Sequence, residues 1–88
     1  MKKLFINIKI FKEDDLYVAL APELNVSSFG ENAAEAQNSI REALEAFIEE
    51  CERMGTLEEV LEEAGFLKQN DLWEPRKPVV QSVFAFAV

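Results

Sequence analysis

Seventeen Asp and Glu residues face nine Lys and Arg and no histidine, so any chemistry in this chain falls to carboxylates. Histidine is the commonest general base and metal ligand, and without it neither a serine nor a cysteine nucleophile has its usual partner. Ser27, Ser28, Ser39 and Ser82 have no base at a telling spacing. Cys51, the one cysteine, lies on the apolar side of a helical repeat, where a thiol behaves as a small hydrophobe. A lone cysteine also excludes an intrachain disulfide. The glycines stand apart at 30, 55 and 65, so there is no glycine-rich phosphate loop. A two-metal nuclease needs acidic groups converging from different elements. Here Glu13, Asp14 and Asp15 sit together in one turn, and the helical glutamates fall on a polar face. The expectation is no catalytic residue, no metal site and no cofactor.

What the carboxylates do instead follows from their excess. A net charge of −8 and a pI near 4.4 disfavour a phosphate backbone, which is bound through Lys and Arg. They equally disfavour an anionic membrane. They favour steering toward a basic partner.

These groups must be positioned by a small fold. Eighty-eight residues suffice for one domain, taken as 1–88, with a core so thin that self-association is a natural supplement. From Lys3 to Phe11 the chain alternates, with Leu4, Ile6, Ile8 and Ile10 on one face and Phe5, Asn7, Lys9 and Phe11 on the other, which predicts one strand. Lys12–Asp15 reads as a turn, Leu16–Leu20 as the return strand of a hairpin ended by Pro22, and Val26–Phe29 as a third strand. The start, Met1-Lys2-Lys3 before Leu4-Phe5-Ile6, has the outline of a signal peptide, but Asn7, Lys9, Lys12 and the acidic turn interrupt its apolar stretch. A cytoplasmic protein is expected, with no membrane association.

Asn32 with Glu35 has the form of a capping box. Ala33, Ala36, Ile40, Ala43, Leu44, Phe47, Cys51 and Met54 then recur at helical spacing, with glutamates opposite, and Gly55 ends the helix. Glu49 and Arg53 are spaced to pair. Thr56 and Glu59 suggest a second capping box, opening a short helix that Gly65 stops. Lys68–Pro78 reads as a polar connection carrying Trp73 as a lid on the core. The last segment, Val79–Val88, is β-prone and apolar on both faces, a composition that aggregates if left exposed. It is expected to be a strand covered by helix and paired at a subunit interface, with Val80, Val83, Phe84 and Phe86 as candidate oligomer contacts. The fold class is therefore α+β, in the order β-β-β-α-α-β: an antiparallel three-stranded sheet, a C-terminal strand beside the first, and helices on one face.

Tyr17-Val18-Ala19, Pro22-Glu23-Leu24, Ser28-Phe29-Gly30-Glu31 and Ala34-Glu35-Ala36, followed by the Glu-Ala-Gly-Phe of 63–66, a tryptophan and a terminal apolar segment, resemble the HicB antitoxin family over nearly the whole chain. The resemblance implies a partial ribonuclease-H-like fold whose members bind and block a small basic RNA-cleaving toxin, HicA. Such a fold does not carry nuclease activity with it. Glu13, Asp14, Asp15, Glu23 and Glu31 are the candidate toxin contacts. Two features depart from the pattern. Leu16 stands where a glycine is usual, and no DNA-binding domain follows before Val88, so operator binding is not expected. The alternative is an orphan homo-oligomeric scaffold or regulator without a toxin.

Overall fold

The alternating N-terminal run breaks into two strands. In the computed structural model, which describes residues 2–88, the run forms β1 (Lys3–Leu4) and β2 (Lys9–Glu13). Alternation fixes which face each side chain takes but says nothing of which backbone lies alongside, and here the neighbours differ. β2 pairs antiparallel with β3 (Leu16–Ala21), whereas β1 pairs in parallel with β6 (Leu72–Pro75). Between them, Phe5 still donates its backbone N–H to Trp73 O at 2.9 Å.

The hairpin between β2 and β3 closes through Asp14 and Asp15, with Asp14 at φ 53°, a conformation Asp tolerates better than most residues. This turn therefore forms with Leu16 in place of glycine. Pro22–Leu24 forms a 3-10 turn. β4 (Val26–Gly30) then adds to β3, giving the antiparallel order β2-β3-β4.

The long helix α1 runs over Ala33–Met54, as the periodicity predicts. Asn32 Oδ1 accepts from the Glu35 N–H at 2.8 Å, and Gly55 adopts φ 70° at the C-terminal cap. Its inner face buries Ala36, Ile40 and Leu44 against Ala19 and Ala21 and their neighbours, and Cys51 is buried further along the helix. Small residues on both sides set a close approach. A Cβ on Gly30 would stand 2.5 Å from Ala36 N, so this strand end admits glycine alone. Ser28 and Ser39 join hydroxyl to hydroxyl between β4 and α1.

The remainder differs from expectation in particulars. α2 (Leu57–Glu63) follows, but Thr56 makes no side-chain cap; its hydroxyl donates instead to Cys51 O at 3.5 Å. Arg53 pairs with Glu50, one residue nearer than the expected Glu49. The segment read as a connection contains a hairpin, β5 (Phe66–Gln69) with β6, closed by Asn70 at φ 55° and Asp71. Trp73 lies within β6, buried with Leu61 and Phe66 in a second core cluster. Ile6 and Leu24 pack against both clusters and join them.

The fold class holds. The protein is α+β, with a three-stranded antiparallel sheet and a C-terminal strand beside the first. That strand is Leu72–Pro75 and not the expected Val79–Val88, which forms no strand and stands exposed throughout.

Candidate partner-binding surface

Register decides which acidic residues share a surface. Glu13 pairs with Leu16 across the hairpin, and Tyr17 pairs with Gly30. The hairpin tip Glu13-Asp14-Asp15 and Glu31, which follows Gly30, therefore lie at the same end of the sheet, all exposed. Asn25 and the 3-10 turn lie at the other end, beyond the Ala21–Val26 pair. Glu23 goes with them and does not join the cluster. It is half-buried, with Oε2 accepting from the Asn7 side-chain amide at 3.5 Å and Oε1 enclosed without a hydrogen-bond partner. Ala64, Gly65, Arg76, Lys77 and Pro78 border the same cleft.

Strand pleating adds what the acidic residues lack. One face of β2-β3-β4 carries Ile10, Ala19, Ala21 and Val26 toward α1. The opposite face carries Phe11, Val18 and Phe29 in one row, since Phe11 registers with Val18 and Val18 with Phe29. Leu16 and Leu20 flank the row on β3. Phe29 is 65% exposed, Phe11 49% and Leu16 44%; among the described residues no element covers them. Scattered exposed hydrophobes are ordinary, but a contiguous apolar row rimmed by charge has the anatomy of an interaction surface. Phe11 and Phe29 were absent from the expected contact residues. The signal was available for Phe11, which alternation puts on the face opposite the apolar Leu4–Ile10 series. For Phe29 it rests on Gly30, whose close approach to α1 turns the preceding residue outward.

Away from this surface, Glu58 has two cationic partners. Glu58 Oε1 accepts from Lys68 at 3.3 Å and from Lys2 at 3.4 Å. Hydrogen bonds from Lys68 and Lys2 hold its carboxyl below the ordinary glutamate value. Lys12 and Lys68 stand over the rings of Tyr17 and Trp73, at 6.0 and 5.7 Å from the centroids. Among the described residues no three His, Cys, Asp or Glu side chains are grouped to hold a metal, and no helix is long and apolar enough to cross a membrane.

No known protein family, curated protein or solved structure matches the chain.

Proposed function

We propose that this chain is a HicB-like antitoxin: a cytoplasmic binding protein, without catalysis of its own, that captures a small basic HicA-type toxin and blocks its RNA cleavage. The observation that carries this reading is the exposed Phe11–Val18–Phe29 row beside the acidic end formed by Glu13, Asp14, Asp15 and Glu31. Acidic groups at the rim accelerate encounter with a basic partner, and a desolvated aromatic centre supplies affinity. Of the motifs that resemble the family, those on β3 and β4 lie in the sheet that carries this row. Glu23, at the far end, contributes to the fold of its own loop and is left out of the contact set.

The test is isolation of the tagged protein from its source cell. A small basic protein should co-purify in fixed ratio, cleave RNA when freed and stop cleaving when recombined. Phe29→Glu should abolish recombination while leaving the thermal midpoint unchanged. A sample that contains no such protein removes the toxin reading.

A second reading, a homo-oligomeric scaffold with no toxin, draws support from a different observation: Val80, Val83, Phe84 and Phe86 are all exposed in the single chain. The first reading uses the outer sheet face and the second the C-terminal segment, and substitutions at Phe29 and at Phe84 separate them.

A further inference from the structure

Segment 79–88 is an apolar strand sequence without a partner. Val79 is 100% exposed and Val83 96%, and Phe84 and Phe86 touch each other edge to face at 6.4 Å with four-fifths of each in solvent. It contains no charge and no proline. Val80, Phe84 and Phe86 fall on one side of an extended chain, and Val79, Val83 and Ala85 on the other. Its backbone N–H and C=O groups make no ladder. A complementary site must therefore offer an open strand edge and apolar cover on both faces.

The β2 edge meets these requirements. β2 is an edge strand with β3 as its one neighbour, and residues 5–8 before it lie outside either sheet. On the helix side of this edge a groove opens between Leu4, Ile6 and Ile8 and the α1 residues Ile40, Leu44 and Ile48, with Gln37, Arg41 and Glu45 also lining it. It exists because α1 lies over β4 and β3 and only reaches β2 at its margin. On the other side stand Phe5, 51% exposed, and Phe11. The open edge from Ile6 to Glu13 is about 25 Å long when extended and the segment 79–88 about 30 Å, so most of the arm can pair along it.

We infer that a second copy of this chain fills this slot: segment 79–88 of one protomer adds as a strand to the β2 edge of its partner and seats one row of side chains in the groove against α1. Exchange is the form that the connection favours. β6 ends at Pro75 and the segment begins after Pro78. The short Pro-bounded link holds the arm away from its own sheet, and short constrained hinges promote swapping between protomers. The area suffices. An aromatic side chain buries roughly 150–250 Å², so the four phenylalanines of two exchanged arms bring about 600–1,000 Å² before any valine is counted, and a specific interface needs about 1,000 Å².

This proposal rests on the self-associating reading and is independent of a toxin. Its test uses the full chain, with sedimentation to read mass and amide hydrogen exchange to read pairing, over a range of concentrations. The expected result is a dimer in which 79–88 and the amides of Ile8–Glu13 that face away from β3 are protected, with both losing protection as dilution yields monomer. Phe84→Glu with Phe86→Glu should give a monomer, and so should Ile8→Glu. An equimolar mixture of the two variants should recover a heterodimer, because one supplies an intact slot and the other an intact arm. That recovery also shows that both variants fold. A dimer whose arm exchanges freely overturns arm exchange and leaves self-association standing. A monomer at every concentration overturns both, including a monomer with a protected arm, which would mean closure onto its own chain.

Discussion

The two faces of the β2-β3-β4 sheet both carry apolar side chains and meet different surroundings. The inner face uses Ala19, Ala21 and Gly30, and α1 settles on it closely enough to bury Ile40 and Ala36 almost completely. The outer face uses Phe11, Val18 and Phe29, and among the described residues no element covers it. Small residues let one element approach another, whereas large exposed ones offer area to something outside. Fold stability should reside in the first set and association in the second and in the C-terminal arm.

The largest effects that could break this division are in the core. Trp73→Ala should lose about 3–5 kcal/mol and Ile40→Ala about 2–5 kcal/mol, read by urea unfolding at low concentration. Phe84→Ala, which removes a ring of similar kind, should stay within about 0.5 kcal/mol under the same conditions. A core-sized loss at Phe84 would mean that the arm belongs to the monomer fold. Next comes Phe29→Ser, expected to leave stability within about 0.5 kcal/mol while weakening partner capture at least tenfold in a binding titration. Smaller is the contrast between helix starts. Asn32→Ala should lose about 1 kcal/mol, because Asn32 caps Glu35. Thr56→Ala should lose less, because the Thr56 side chain does not cap α2 and makes only a long bond to Cys51 O.

The smallest effect is a pH dependence. Glu58 is held below its ordinary value by Lys68 and Lys2. A carboxyl depressed in the folded state adds stability above its unfolded value, near 4.5, and loses it as pH falls through the depressed folded value. Wild type and Glu58→Gln should therefore differ slightly at neutral pH and converge in acid. Because the group is exposed, the difference should also shrink with added salt.

The sequence made α1 legible because three independent signals agreed: the apolar spacing, Asn32 at one end and Gly55 at the other. The β2-β3 hairpin was legible from alternation and its acidic turn. The β5-β6 hairpin was hidden because Lys68 and Gln69 face solvent, leaving too few apolar positions to show a period. Its one signal was Asn70-Asp71, a two-residue turn of the same kind as Asp14-Asp15. The split of the first strand was not readable, since Leu4–Ile10 alternates evenly whichever neighbours it has. At the candidate surface the acidic residues were found by charge, but only register separates Glu23 from the rest and brings Phe11 and Phe29 together. The arm was recognised as a strand needing cover, and the missing information was that its own chain supplies none.

The division between a self-sufficient inner core and outward-directed apolar surface is tested most directly by thermal unfolding across protein concentration. Linkage to association raises the midpoint as concentration rises. The account predicts a rising midpoint for the wild type and a flat one for the Phe84→Glu, Phe86→Glu variant, with the two meeting at the lowest concentration. A wild-type midpoint that does not move with concentration, or a variant that stays less stable even when both are dilute, would contradict it.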